Sequence, residues 1–238
     1  MKQVIIAHLY PREMSIYGDS GNIRVLIQRL VWRGYEPLVK AVEIGKPFDF
    51  DEVDMVFGGG GQDRGQLLVG ADLLRRGEAL RTVAAGGVPM LLVCGLYQLF
   101  GREFTTNEGE IIPGIGIFDI ATTGSNVRMI GNIVVDSPYG RLVGFENHSG
   151  ATVLGKDQAA LGKVKKGYGN DPKSGREGAV SGNAIGTYLH GPILPKNPDL
   201  ADYLILQAVK RKYGDTELAP LDNALELEAA KIAISRPQ

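Results

Sequence analysis

Short apolar runs alternate with segments of helical periodicity through the first half of the chain, and that alternation restricts the fold to an α/β class with a mostly parallel sheet flanked by helices. Val4 to Leu9 reads as a buried strand. Ile23, Leu26, Ile27, Leu30 and Val31 recur at helical spacing, with Asp19 or Ser20 as the cap and Gly34 as the stop. Leu38 to Val42, Met55 to Phe57 and Val88 to Val93 supply further strands, with a helix from about Gln62 to Arg76 between the last two. Ligands of such sheets sit at the carboxyl ends of the strands. Gly58-Gly59-Gly60-Gly61 and Cys94 both fall there.

From Ile111 to Leu189 the texture changes to β-branched runs broken by Gly and Asn, which predict antiparallel strands added to the sheet. Gly162 to Gly178 offers little apolar surface and is expected to be the mobile segment. Asn197-Pro198-Asp199 starts a helix that runs to Gly214, and Leu218 to Ile234 carries a second helical stripe. No repeat or linker divides the 238 residues, so residues 1–238 are expected to form a single domain. Lys and Arg number 26 against 27 Asp and Glu, which leaves no basic footprint for nucleic acid. No apolar stretch approaches membrane-spanning length and the chain opens directly on a strand, so a cytoplasmic protein without membrane insertion is expected. One Cys and three His make a structural zinc site improbable, and no metal is expected.

Cys94 follows the apolar run Val88 to Val93 and precedes Gly95 and a helix-like stretch. A sharp strand-to-helix turn of this kind lifts a nucleophile to the sheet end, where a helix N-terminus favours the thiolate. A buried inert thiol is the plain alternative. The loop Phe57 to Asp63 fails the dinucleotide spacing and lacks the Lys-Ser/Thr ending of a phosphate-binding loop. Its N–H groups, with that of Gly95, suit an oxyanion hole, although a simple glycine turn fits the spacing too. His190 ends a strand pattern and is placed to act as general base and acid, whereas His8 sits inside an apolar strand and His148 in a polar segment. Arg128 stands alone in a β-like run, suited to grip a carboxylate or merely to face solvent.

Taken together, Cys94-Gly95, the Gly-Gly-Gly-Gln-Asp loop and His190 resemble the class I glutamine amidotransferases of the cobyric-acid-synthase-like branch. Within it, Leu9-Tyr10-Pro11, Tyr17-Gly18-Asp19-Ser20-Gly21-Asn22, Gly144 to Gly150 and Gly182 to Pro192 are similar to the glutaminase subunits of lipid II isoglutaminyl synthase. The resemblance implies that Cys94 attacks the amide of L-glutamine through a thioester, that His190 shuttles protons, and that Gly60 and Gly95 donate to the oxyanion. It also implies that Arg128 holds the α-carboxylate. Ammonia would pass to a Mur-ligase-like synthetase in a heterodimer, which would bind the ATP and Mg, with no cofactor in this chain. The acceptor would be D-glutamate of lipid II, amidated to D-isoglutamine. The loops around Gly60, His148 and Gly167 to Asp171 are the expected docking surface. Two positions depart from the pattern: Pro192 replaces the glutamate that many relatives place two residues after the histidine, so the base would be oriented by a backbone carbonyl or by an acid from elsewhere such as Asp19 or Glu146, or the pair would work as a dyad, and Leu96 replaces a glycine after Cys-Gly. A glutaminase for another synthetase, such as a corrinoid a,c-diamide synthase, and a non-catalytic cysteine sensor are the alternatives.

Overall fold

The computed structural model describes residues 2–236. Its first sheet holds six strands, in the order β11, β12, β4, β3, β1, β2. These are β1 (Lys2–Leu9), β2 (Tyr35–Val42), β3 (Met55–Gly58), β4 (Met90–Val93), β11 (Ala179–Ser181) and β12 (Ala184–Thr187). All neighbours run parallel except the β11–β12 hairpin at one edge. The short interior strands β3 and β4 are buried at every residue, as expected of strands covered on both faces. Helices α1 (Ser20–Val31), α2 (Asp63–Ala85) and α4 (Pro198–Tyr213) surround this sheet.

The α2 helix runs nine residues past the predicted end at Arg76 and passes through Gly70 and Gly77. Both glycines serve close packing rather than termination. A Cβ at either would lie 3.1 Å from an isoleucine methyl, of Ile112 at one and Ile115 at the other.

Most of the antiparallel strands do not extend the first sheet. They build a second six-stranded one around the long pair β7 (Ile120–Ser137) and β8 (Gly140–Leu154). β5 (Glu103–Thr105), β6 (Ile111–Pro113), β9 (Gly162–Lys166) and β10 (Arg176–Glu177) complete it. The stretch from Gly162 to Gly178 is pinned rather than loose. The Glu146 carboxylate accepts the N–H groups of Tyr168 and Gly169 at 2.8 and 2.9 Å, and the Asn170 side chain bonds both backbone groups of Gly178 at 2.9 Å. Glu177, fully buried, accepts from the Thr187 hydroxyl and the Tyr188 N–H at 2.7 Å each and so ties this segment to the strand that leads to His190. Polar side chains here do the anchoring that an apolar count misses.

Buried charge joins the helical layer. Arg29, 1% exposed, donates to both carboxylate oxygens of Asp202 at 2.7 Å and to Asn223 at 2.9 Å, and Arg33 adds a bond to Asp202 at 2.7 Å. Burial works against the Asp202 charge, but the two guanidiniums outweigh it and hold its carboxyl below the usual range. A second clamp, Asp72, accepts from Tyr10, Arg75, Arg76 and the Gly45 N–H, fixing α2 to the loop that follows β1. Removing one partner of a buried pair leaves the other charge uncompensated, so Asp202→Ala should lose about 3 kcal/mol or more of stability. Urea unfolding checks this, and a loss below about 1 kcal/mol, the worth of a surface pair, would contradict the clamp.

Candidate active site

Cys94 occupies the turn between β4 and the short helix α3 (Gly95–Leu99) with φ 51° and ψ −103°. A non-glycine residue adopts this backbone only where its surroundings hold it, and such strain recurs at nucleophile elbows. The hold is visible: the Cys94 N–H donates to Thr187 O at 2.8 Å, and its carbonyl accepts from Gln98 N at 3.0 Å. Gly95 admits no side chain, because a Cβ there would lie 2.8 Å from the Met14 methyl and 2.9 Å from Gly61 N. Leu96 does not crowd the elbow. Its side chain turns into the core over Gly58, where an added Cβ would meet Leu96 Cδ1 at 2.3 Å.

His190 reaches Cys94 from the end of the neighbouring strand. A Cβ placed on Gly60 would lie 2.7 Å from His190 Cε1 and 3.1 Å from Cys94 Cβ, so imidazole and thiol converge over that glycine. His190 Nδ1 pairs with Asp19 Oδ1 at 3.1 Å, and its buried Nε2 has no hydrogen-bond partner. Burial pushes the ring toward neutrality, yet its interactions with Cys94 and Asp19 outweigh it and raise its pKa to about 10.

Asp19 sits at the N-cap of α1 but makes no capping bond with its side chain. Its carboxylate is shared between His190 and the N–H of Gly60, bonded to Oδ2 at 2.7 Å. The expectation that Gly60 donates to an oxyanion therefore needs correction, since its N–H is already taken. Gly61 lines the cleft beside Gly95, whose own N–H opens a helix and lacks an intrahelical acceptor. Glu146, the other acid considered for orienting His190, is occupied by the 168–169 backbone.

The cleft over Cys94 has a volume of about 400 Å3. Arg128 stands on its wall, donating from Nε to Asn147 Oδ1 at 2.6 Å and from Nη2 to the Tyr17 hydroxyl at 3.2 Å. Neutral oxygens thus occupy two donors that a carboxylate would engage more strongly. Tyr17 lies edge-on to His190, with ring centroids 5.1 Å apart. His148 also lines the cleft, stacked on Tyr188 at 3.6 Å, with burial lowering its pKa to about 3. It is a neutral wall rather than an acid at neutral pH. His8 is likewise lowered by burial, to about 4. Gly60 and His148 are themselves buried, whereas Gln62 to Arg64 beside Gly60 and Tyr168 within Gly167 to Asp171 are exposed. Sequence reasoning gave no individual role to Tyr17, Asn147 or Gln98, all of which line the cleft.

Residues 5–198 match the CobB/CobQ-like glutamine amidotransferase domain. The chain belongs to this family. It is 39% identical to the lipid II isoglutaminyl synthase (glutamine-hydrolyzing) subunit GatD of Staphylococcus aureus, over 99% of this chain and 97% of that one. The subunit of the same name from Streptococcus pneumoniae is 37% identical, over 96% and 90%. A probable cobyric acid synthase from Methanothermobacter thermautotrophicus is 30% identical over 74% of this chain but only 39% of its own length. PurLQS of Thermotoga maritima shares the fold, with a TM-score of 0.57 at 14% identity over 86% of this chain and 98% of that one. In this amidotransferase Pro192 packs on Gly21, where an added Cβ would meet Pro192 Cγ at 2.6 Å, and the acid beside the histidine comes from Asp19 instead. Among the described residues no helix is long and apolar enough to cross a membrane.

Because the His190 pKa is raised, the ring's protonated form contributes stability in full below about 6.5, and that contribution fades as pH rises through about 10. Imidazole NMR should show His190 titrating well above neutrality, with Cys94→Ala and Asp19→Asn each moving the titration down. A ring that titrates near its ordinary value in the parent would refute the charge coupling.

Proposed function

We propose that this chain is the glutaminase subunit of a lipid II isoglutaminyl synthase. The observation that carries the reading is the convergence of Cys94, His190 and Asp19 over a cleft that ends at Arg128. The full-length similarity to two subunits named for that reaction supports it. Glutamine lies with its α-carboxylate on Arg128 and its amide over Cys94. The thiolate attacks the amide carbon, forming the S–C bond, and the oxyanion is held by the N–H groups of Gly95 and Gly61. Imidazolium His190 gives its proton to the amide nitrogen, the C–N bond breaks, and ammonia leaves. Water then adds to the thioester as His190 takes its proton, releasing glutamate and restoring the thiolate. Asp19 is a positioning residue: it holds Nδ1 so that Nε2 faces the reaction.

Ammonia passes to a Mur-ligase-like synthetase that binds ATP and Mg, activates the D-glutamate carboxyl of lipid II and completes the heterodimer. This chain works without a cofactor of its own, and Gln62-Asp63 after the glycine run lacks the Lys-Ser/Thr ending that a nucleotide phosphate requires.

Glutamate release from L-glutamine, with and without the synthetase, is the test. Release should vanish in Cys94→Ala, and silence of the parent under both conditions would overturn the reading. Asp19→Asn should lower kcat by roughly 100-fold or more and shift the pH profile, since a residue that only supports the fold would not move the profile. Arg128→Lys, which loses the two-pronged grip, should raise KM by about tenfold with a smaller change in kcat.

A further inference from the structure

Between Thr187 and His190 the chain leaves one sheet and joins the other. Thr187 is the last ladder residue of β12, paired with Val93, whereas His190 exchanges both of its backbone bonds with Phe145 of β8. Tyr188 and Leu189 cross the gap, both fully buried, where no ladder receives their N–H groups. Buried amides of this kind need another acceptor. The Tyr188 N–H donates to Glu177 Oε1 at 2.7 Å, and the Leu189 N–H donates to Thr187 Oγ1 at 3.0 Å. With that oxygen accepting, the Thr187 hydroxyl sends its own hydrogen to Glu177 Oε1 as well, at 2.7 Å.

We propose that Glu177 is a positioning residue for the active site, fixing Cys94 through Thr187 and fixing His190 through the Tyr188–Leu189 crossing. The inference deepens the glutaminase reading above and rests on it.

The reach of this carboxylate is the first support. The Thr187 carbonyl accepts the Cys94 N–H at 2.8 Å, one of the two bonds that sustain the positive φ of the elbow. On the other side, Gln98 N donates to the Cys94 carbonyl at 3.0 Å, and the Gln98 side chain donates to the Tyr188 hydroxyl at 3.0 Å. Each backbone bond of the nucleophile is therefore one residue away from a group that Glu177 holds. Asp19 sets the direction of the His190 ring through Nδ1, but the crossing sets where the ring stands relative to the thiol.

Cost is the second support. Glu177 is wholly buried, its Oε2 has no hydrogen-bond partner, and burial raises its pKa. The 167–178 segment is already held by Glu146 and Asn170. A further buried carboxylate with one oxygen unpaired subtracts from stability. Groups that a fold keeps at such a cost belong to its function.

The test measures glutamine turnover in the complex with the synthetase, and alkylation of Cys94 by iodoacetamide without glutamine. Glu177→Leu fills the space but accepts nothing, Glu177→Gln keeps the Oε1 acceptor, and Thr187→Val removes the hydroxyl while keeping the carbonyl that holds Cys94. Glu177→Leu should lower kcat by about 30-fold or more with KM within about threefold, the mark of displaced reacting groups rather than a lost substrate contact. Glu177→Gln should return kcat to within about fivefold of the parent. Thr187→Val should lower kcat by about tenfold, and adding it to Glu177→Leu should change little more, because both break one relay. Alkylation should slow by about tenfold in Glu177→Leu and recover in Glu177→Gln, since a thiol displaced from His190 loses thiolate character. Should Glu177→Leu fail to fold, Thr187→Val, which keeps the carboxylate, decides alone. A parent-like kcat in Thr187→Val, an effect confined to KM, or additive losses in the double variant would overturn the proposal. A parent that follows the alkylation pattern yet releases no glutamate would sink the glutaminase reading and leave the positioning of Cys94 standing.

Discussion

One carboxylate joins the two halves of the site. Asp19 bonds the Gly60 N–H through one oxygen and His190 Nδ1 through the other, so the glycine loop after β3 and the strand end after β12 are held to the start of α1 by a single buried group. The rest of the arrangement depends on this. With Asp19 in place, His190 presents Nε2 toward Cys94 and keeps its proton. Without it, the buried imidazole would keep only Cys94 to set against the desolvation that favours the neutral ring. Asp19 can do this because it does not cap its own helix, so α1 gives up a capping bond for the sake of the site.

The elbow shows how packing sustains strain. Cys94 keeps a positive φ because both of its backbone polar groups are bonded and because Gly95 allows Gly61 and Met14 to approach within contact distance. Leu96 and Gly58 form a matched pair, the large side chain on one occupying the space that the other leaves open. Behind them Gln66, Gln98, Tyr188, Thr152 and Thr122 make a continuous chain of hydrogen bonds between 2.6 and 3.0 Å, so these five side chains are partnered by one another.

A second theme is anchoring by carboxylates. Glu146 and Glu177 hold the 167–178 segment through backbone N–H groups and hydroxyls rather than through ion pairs. Burial raises the pKa of both, that of Glu177 to about 7, so these anchors are costly to ionise and depend on the bonds that surround them. Position in the fold, not composition, decides whether a Gly/Lys-rich stretch moves.

The sequence by itself determined the alternation of strands and helices, the strand-to-helix turn at Cys94, the glycine loop and the histidine at a strand end, because each of these is a local pattern of side-chain period and backbone freedom. It also carried the family resemblance across segments from Leu9 to Pro198. Only the tertiary structure decided which acid stands beside His190, since Asp19 is 171 residues away along the chain and meets it through the crossover of the sheet. The same holds for the donor taken from Gly60, for Tyr17 between Arg128 and His190, and for the β-branched runs that form their own sheet instead of extending the first. These are long-range pairings, set by which surfaces pack against which, and no window of neighbouring residues contains them.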